Sequence, residues 1–409
     1  MTSRVRRPAV RIRLARNGYL LGCPVVEERD MLPGPARTPL AVVAVASVVS
    51  LALAGCGGTP SSAGGGTRAD TSSTPTTSLR SSSGAAMTAA DAFLSRYVTA
   101  DGRVLRRDQG NDVVSEGQAY GMLIAELAGR PDVVRSIWSW THDHLARSDG
   151  LLSYHADEQG NVLDEQAASD ADTLAAYALQ RYAGTDAAAL HARGRALAEA
   201  VLRHETVRSS AGDLVLTAGP WATGSTPVVD PSYLMPSVFT DLAGLTGDDR
   251  WDDLGRTSID LVDALTEHGR QLPPDWARME GDRLVASGSG GGGGSPQYGP
   301  DAQRVPLWFG AACDPRARGL AGAWWKILQQ DDRSAATALG PTGDPVDPSP
   351  STVALVASAA SARAAGDTGG AADLETGAQQ SDAGRPTYYG GAWLVLGPAL
   401  WDGRLTSCR

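Results

Sequence analysis

The sequence contains little of what several common classes of protein require. Only one of its 409 residues is a lysine, Lys326, and the formal net charge is −10. After Cys56 the imbalance is larger, with 28 basic and 43 acidic residues. Because contacts to phosphates need basic patches, this acidic composition argues against nucleic acid as a partner. A neutral or cationic substrate fits the charge better.

Metal ligands and reactive thiols are also scarce. The four cysteines form no CxxC pair, and the six histidines show no metal-ligand spacing. The sequence therefore shows no pattern typical of a metal site. If the chain is exported, Cys313 and Cys408 are candidates for a disulfide.

The N-terminal region has a hydrophobic run that is too short to span a membrane. The run from Leu40 to Leu53 has about 14 residues, whereas a span needs about 20. It ends in Leu-Ala-Gly-Cys56, which resembles a bacterial lipobox. We interpret residues 1–56 as an N-terminal extension and a lipoprotein-type signal peptide, with a lipid attached to Cys56 after cleavage. The alternative is an ordinary signal peptide with a chance cysteine. Either interpretation predicts export, as a membrane lipoprotein or a secreted protein.

Residues 57–86 differ in composition from everything that follows. They are nearly all Gly, Ser, Thr, Ala and Pro, so they cannot bury enough apolar surface to offset the entropy of ordering. We predict a disordered linker over 57–86 and one folded domain over 87–409.

Helical periodicity runs through almost all of the predicted domain. Apolar residues recur at spacings of three and four in twelve segments. These are 88–98, 115–128, 132–146, 169–183, 186–205, 231–245, 248–268, 302–313, 318–330, 351–364, 368–379 and 388–401. The break at 149–167 predicts a small β-hairpin. Tandem helical pairs of about 54 residues would fit roughly six times, which favours an all-α closed toroid of helical hairpins.

The stretch that begins Ser115-Glu116-Gly117-Gln118 opens one of these helices. Ser followed three residues later by Gln, before an apolar run, has the form of a capping box. This predicts a helix start at Ser115 with Glu116 in the first turn. Taken alone, an acidic residue there is explained by the helix dipole.

Three later helix starts repeat the arrangement. Ser169 and Asp172 predict a second capping box, which leaves Asp170 as an unexplained carboxylate. Asp230 and Asp301 are candidate caps of two further helices. In a toroid, alternate helices are parallel, so these four N-termini open onto one face. The polar side chains expected there are Glu116, Asp170, Asp172, Tyr233, Asp301 and Arg304.

Such a cluster suits the chemistry of glycosidic bonds. Neighbouring carboxylates and burial both raise a carboxyl pKa. One carboxyl kept protonated beside another kept ionised is what glycoside hydrolysis requires.

The motifs in this order resemble those of glycoside hydrolase family 8. They are Ser-Glu-Gly-Gln-x-Tyr-Gly-Met, Ala-Ser-Asp-Ala-Asp, x-Pro-Ser-Tyr and Asp-Ala-x-Arg-Val-Pro, with Pro274-Asp275-Trp276 and Tyr388-Tyr389-Gly390. The resemblance covers about residues 88–404. It implies an (α/α)6 barrel, an inverting mechanism, and neither a metal nor an organic cofactor. By resemblance Glu116 is the general acid, Asp301 the general base and Asp170 a substrate-binding residue. Tyr233 and Arg304 match residues that position the sugar and the base.

The sequence departs from the family pattern just before the predicted base. Pro300 stands where a tyrosine is usual, and Tyr298 lies two positions earlier. This departure puts the placement of Asp301 in question. Elsewhere, Trp221 and Trp276 are candidates to stack on sugar rings in the cleft, the alternative being burial in the core.

The leading hypothesis is therefore an exported, monomeric, inverting endo-β-1,4-glucanase acting on cellulose or a related β-glucan. A second hypothesis keeps the mechanism and changes the polymer to chitosan, lichenan or xylan. A third is a non-catalytic polysaccharide-binding lipoprotein, suggested by the altered segment before Asp301.

Overall fold

Helices alternate with loops of varied length through residues 89–406, the part of the chain that the computed structural model describes. The first, α1, covers residues 89–97. The others are α2 Ser115–Leu127, α3 Pro131–Leu145, α4 Ser169–Arg181, α5 Ala187–His204, α6 Pro236–Thr246, α7 Arg250–Leu265, α8 Val305–Gly310, α9 Pro315–Leu328, α10 Thr352–Ala364, α11 Thr368–Gly384 and α12 Tyr388–Trp401. Twelve segments were expected from the periodicity, and the described residues contain a helix in each.

The even-numbered helices form a closed inner ring. Each contacts the next, from α2 through α4, α6, α8 and α10 to α12, and α12 returns to α2. The odd-numbered helices pack outside this ring, for example α3 on α2, α5 on α4 and α7 on α6. Through Phe93 and Tyr97, α1 packs against Tyr388 at the start of α12. The predicted (α/α)6 barrel is confirmed.

Burial follows from position in the two rings. In α4 every residue except Arg181 is buried, because small alanines let an inner helix be enclosed on all sides. In the outer helix α3 the buried residues Val134, Ile137 and Thr141 share one face, which is the pattern of a surface helix.

Two helix starts differ from the predictions because of proline. The segment predicted as 231–245 begins with a 3₁₀ turn at Pro231–Tyr233, and α6 starts only at Pro236. The segment predicted as 302–313 is a 3₁₀ turn, Ala302–Arg304, followed by the short α8. A proline has no N–H for an intrahelical hydrogen bond, so it is tolerated in the first turn of a helix, which is where Pro236 and Pro306 lie.

Four small antiparallel sheets lie among the loops of the described residues. Their strands are β1 Val113–Val114, β2 His155–Ala156, β3 Val162–Asp164, β4 Thr206–Arg208, β5 Leu214–Leu216, β6 Val228–Val229, β7 Trp276–Glu280, β8 Arg283–Ser287, β9 Ala336–Leu339 and β10 Pro345–Pro350. The sheets are β1-β2-β3, β4-β5, β6-β7-β8 and β9-β10. The predicted hairpin within 149–167 is confirmed as β2-β3.

The other three sheets were not predicted. The β7-β8 hairpin has five paired positions from Trp276↔Ser287 to Glu280↔Arg283, and Gly281 at its turn has φ 66°. Gly281-Asp282 is a two-residue turn signal that could have revealed it. Strands β4, β5 and β6 have only two or three residues, too few for alternation to show in sequence.

Several predictions fall on residues outside the described part. Residues 1–56 with Cys56, the linker 57–86 and Cys408 all lie there, so the signal peptide, the lipid, the linker and the Cys408 pairing stay predictions. Cys313 itself is disulfide-bonded. Within 89–406, no helix has the length and apolar character needed to cross a membrane.

Candidate active site

The guanidinium group of Arg304 joins three carboxylates that are far apart in sequence. Its Nη1 donates to Asp170 Oδ2 at 2.7 Å and to Glu116 Oε2 at 3.2 Å. Its Nη2 donates to Asp301 Oδ1 at 3.2 Å. The Arg304 side chain is only 2% exposed. One buried positive charge thus faces three acidic groups, which disfavours simultaneous ionisation of all three.

Glu116 has the most consequential electrostatics of the three. The pKa of Glu116 is raised to about 7, chiefly by burial; the positive charge of Arg304 opposes this rise, and the negative charges of Asp170 and Asp301 contribute to it. Its side chain is still 19% exposed, so a substrate can reach it. A carboxyl group with a pKa near neutrality can be protonated at working pH and donate that proton.

Asp301 lies at the other nitrogen of the same guanidinium group. Burial also raises the pKa of Asp301, with a smaller contribution from Asp170, while Arg304 lowers it. Its side chain is 27% exposed. Because the contacts of Glu116 and Asp301 to Arg304 are each 3.2 Å long, their bonded oxygens are no more than about 9 Å apart. The inverting range is about 6.5–9.5 Å, so this bound is compatible with it.

Pro300 stands where a tyrosine is usual, and this difference does not displace Asp301 from the cluster. The Tyr389 hydroxyl donates to the carbonyl oxygen of Pro300 at 3.2 Å. Tyr298 is buried in the core, and its main chain pairs with Leu339. Tyr298 therefore does not take the place of the tyrosine that usually precedes the base.

The predicted capping box of Ser115 and Gln118 is wrong. Other features of the structure place Glu116 in this cluster. Gln118 does not cap the helix: its Oε1 accepts from the Val104 N–H at 2.6 Å and its Nε2 donates to Thr141 Oγ1 at 2.8 Å. The Ser115 hydroxyl makes no capping hydrogen bond. Instead, β1 leads directly into α2, which places Glu116 in the first turn.

The second capping box is also wrong. The Ser169 hydroxyl donates to the carbonyl oxygen of Thr217 at 2.6 Å, and Asp172 Oδ1 accepts from the Leu152 N–H at 2.9 Å. Both side chains tie the start of α4 to neighbouring loops, which fixes the position of Asp170. Of the six side chains expected at the cleft, Asp172 alone makes neither a hydrogen bond nor a ring contact with Arg304 or its carboxylates in the described part of the chain.

Tyr233 lies against the same arginine. The Arg304 guanidinium carbon is 5.3 Å from the centre of the Tyr233 ring, a cation–π distance. The preceding turn is held by Asp230, whose Oδ1 accepts from the Ser232 N–H at 2.8 Å, so the predicted Asp230 cap is confirmed. Tyr233 thus supports the orientation of Arg304.

The two predicted cleft tryptophans lie beside each other. The ring centres of Trp221 and Trp276 are 6.4 Å apart, and the Trp221 side chain is exposed. Trp221 Nε1 donates to the carbonyl oxygen of Ala167 at 3.2 Å, just before α4. Trp276 follows Asp275, which hydrogen-bonds the Asp301 loop. The structure therefore places both rings next to segments that carry the carboxylates.

Several tyrosines and one arginine at the site were not predicted. The Tyr388 hydroxyl donates to Glu116 Oε1 at 3.4 Å, and Arg304 Nη1 donates to the Tyr120 hydroxyl at 3.1 Å. Gly117 permits this approach, because a Cβ there would lie 2.8 Å from the Tyr388 hydroxyl oxygen.

The missed residues differ in the sequence signal that they carry. Tyr120 is one turn after Glu116, a spacing that could have indicated it. Tyr388 comes from the opposite end of the chain and is visible only in its Tyr-Tyr-Gly motif. Arg106 lowers the pKa of Glu116 by its charge, and nothing in its loop indicates this.

The described residues offer no arrangement suited to a metal. Within 89–406, no group of three or more His, Cys, Asp or Glu side chains could hold an ion. The site is thus built from carboxyl, guanidinium, phenol and indole groups.

Comparison with known proteins agrees with the motifs described in the sequence. The family model of glycosyl hydrolases family 8 matches residues 72–404. A probable endoglucanase of Novacetimonas hansenii is 33% identical over 231 residues, which cover 53% of this chain and 64% of that protein. The chain thus spans a little under two thirds of that relative's length.

Solved structures share the barrel. The endo-β-1,4-glucanase CMCax from Acetobacter xylinum superposes with a TM-score of 0.64 at 25% identity, over 77% of this chain and 97% of that one. A β-1,3-1,4-glucanase from Paenibacillus sp. X4 has a TM-score of 0.69 at 16% identity, over 80% of this chain and 94% of that one, which shows the fold. With a family model that matches most of its length, the chain belongs to glycosyl hydrolases family 8.

Proposed function

We propose that the protein is an inverting endo-β-1,4-glucanase that hydrolyses cellulose or a related β-glucan. The observation that carries the proposal is the contact of Glu116, Asp170 and Asp301 with the single guanidinium group of Arg304. The family and the named relatives support a β-glucan as substrate.

The proposed reaction is a single displacement. Glu116 donates its proton to the departing glycosidic oxygen, and Asp301 removes a proton from a water that attacks the anomeric carbon from the opposite face. The C–O bond of the leaving sugar breaks as the bond to water forms, so the anomeric configuration inverts. Glu116 ends ionised and Asp301 protonated, and exchange with solvent restores both.

Other side chains support this reaction. Asp170 is proposed to bind the sugar at the cleavage point, while Arg304 holds all three carboxylates and Tyr233 holds Arg304. Trp221 and Trp276 provide an aromatic platform for pyranose C–H faces. No metal or organic cofactor enters the proposed mechanism.

The experiment compares wild type with Glu116→Gln and Asp301→Asn on carboxymethyl-cellulose, chitosan, lichenan and xylan. We expect cleavage of a β-glucan with release of the α-anomer, detected by NMR within minutes of mixing. Each variant should lose roughly 10²–10⁴-fold in kcat/KM, the usual contribution of one general acid or base.

The outcomes separate the alternatives. Preference for chitosan, lichenan or xylan would keep the mechanism and change the substrate. Binding of glucan without cleavage by wild type would favour a non-catalytic polysaccharide-binding protein. Release of the β-anomer would contradict inversion.

The N-terminal region supports a further part of the proposal, which is export and anchoring through a lipid on Cys56. The proposed state of the exported domain is a monomer. Incorporation of labelled palmitate into wild type but not into Cys56→Ala would be the expected result, and equal labelling would contradict it.

A further inference from the structure

The segment that carries Asp301 is an irregular turn rather than a helix. Asp301 precedes the 3₁₀ turn Ala302–Arg304 and follows Gly299 and Pro300. The N–H groups on either side of the Pro300-Asp301 pair lie before the turn or at its first residue, so they need hydrogen-bond acceptors from outside it. Where these donors bond decides how the Asp301 side chain is presented.

One side chain accepts both of these donors. Asp275 Oδ1 accepts from the Gly299 N–H at 3.0 Å and from the Ala302 N–H at 2.8 Å. Asp275 is 6% exposed, and its own N–H donates to the carbonyl oxygen of Gln297 at 2.8 Å. A single carboxylate oxygen therefore bridges the turn across the Pro300-Asp301 pair.

The Asp275 carboxylate lies so close to the turn that a side chain at Gly299 would not fit. A Cβ added to Gly299 would lie 2.3 Å from Asp275 Oδ2. The absence of a side chain at Gly299 is thus what allows the carboxylate to approach the main chain so closely.

Asp275 is not explained as half of an ion pair. The described residues place no salt bridge at this carboxyl group, and its two side-chain hydrogen bonds are both to main-chain N–H groups. Burial, together with the charge of Asp301, raises the pKa of Asp275 to about 7. A buried acid without a cation partner is costly to keep, which points to a role beyond stability.

We propose that Asp275 is a positioning residue for the reaction: by bridging Gly299 and Ala302 it holds Asp301 where it can take the proton of the attacking water. This inference rests on the proposed function of Asp301 as general base. In this proposal Asp275 does not contact the substrate and acts only through Asp301. A shift of about 1 Å in a catalytic group can cost roughly 10²-fold in rate, so loss of the bridge should be measurable.

The kinetic test uses the full-length protein and compares three variants with wild type. Asp275→Ala removes the bridge, Asp275→Asn keeps an oxygen that can accept both N–H groups, and Asp241→Ala is the matched control. Asp241 is also a buried aspartate, 8% exposed, and accepts a 2.6 Å hydrogen bond from Tyr177. It therefore reproduces the loss of a buried carboxylate elsewhere in the barrel.

The expected result for Asp275→Ala is a lower kcat. Asp275→Ala should lose about 10²-fold in kcat with KM changed less than about 3-fold, and Asp275→Asn should recover most of it. Asp241→Ala should have a lower Tm and a kcat near that of wild type.

Chemical rescue provides a readout that a purely structural role would not change. Azide carries no proton, so it can attack the anomeric carbon without a general base. The C–N bond forms as the glycosidic C–O bond breaks, and Glu116 gives its proton to the leaving oxygen. Azide should accelerate cleavage of an aryl cello-oligosaccharide by Asp275→Ala and Asp301→Ala, with an α-glycosyl azide as product, and should not accelerate Asp241→Ala.

Several results would overturn the inference. These are an Asp275→Ala variant with wild-type kcat, a rise in KM alone, no azide product where Asp301→Ala gives one, or no recovery in Asp275→Asn. If Asp275→Ala does not fold, Gly299→Ala is used to displace the carboxylate instead. Full activity of a folded Gly299→Ala would also overturn the inference. Inactivity of wild type on every β-glycan would instead remove the proposed function, so the two failures are distinguishable.

Discussion

Removal of the charge on Asp170 should move the alkaline limit of activity to lower pH. The limit is expected because Glu116 must be protonated to act as an acid, so kcat/KM falls as pH rises through its pKa of about 7. The negative charge of Asp170 raises that pKa and the positive charge of Arg304 lowers it. In Asp170→Asn the first effect disappears and Arg304 is freed from a 2.7 Å ion pair. Both changes lower the pKa of Glu116.

The structure bounds the size of the shift. The carboxylates of Asp170 and Glu116 contact one Arg304 nitrogen at 2.7 and 3.2 Å, so the bonded oxygens are at most about 6 Å apart. At this distance one charge is worth about 3 kcal/mol with an effective dielectric constant near 20, or about 0.7 kcal/mol in water. These energies correspond to about 2 and 0.5 pKa units. The alkaline limit should therefore move from about 7 to a value between about 5 and 6.5.

The assay is kcat/KM against pH at constant ionic strength, with enough Asp170→Asn enzyme to measure its residual activity. Asp241→Asn is the control, because Asp241 lies in α6 and accepts its hydrogen bond from Tyr177 rather than from Arg304. Its limit should coincide with that of wild type. An Asp170→Asn limit that stays in place or moves upward would refute the electrostatic reasoning.

Two further predictions concern binding and stability. Trp221→Ala and Trp276→Ala should each raise KM for glucan about 2–10-fold with little change in kcat, measured by steady-state kinetics, since an aromatic contact is worth about 0.5–1.5 kcal/mol; a fall in kcat alone would contradict a binding role. Glu205 is fully buried, and neither of its oxygens has a hydrogen-bond partner among the described residues; burial, with the charges of Asp172 and Asp170, raises its pKa well above the ordinary value. The folded protein thus holds this proton more tightly than the unfolded chain, and stability is lost as pH rises above about 4.3. Glu205→Gln should flatten the fall of Tm between pH 5 and 8 in calorimetry, and parallel curves would disprove this.

Particular residues show how far sequence reasoning could reach. Glu116, Asp170, Asp301 and Arg304 were identified from helix starts and family motifs, and the structure brings all four together. The capping boxes were wrong because a Ser-x-x-Gln or Ser-x-x-Asp pattern shows only that a local hydrogen bond can form. Gln118 instead forms hydrogen bonds with Val104 and Thr141, which come near it only in the packed barrel.

The sequence by itself determined the alternation of helices and the identity of the four charged groups, because periodicity and motifs are local properties of the chain. Only the tertiary structure decided which side chains meet. Closure of the ring places Tyr388 against Glu116, across 272 positions of sequence. It also places Asp275 across the turn of Asp301, 24 and 27 positions from the N–H groups it accepts. Such contacts depend on how distant segments pack, and no spacing within one segment encodes them.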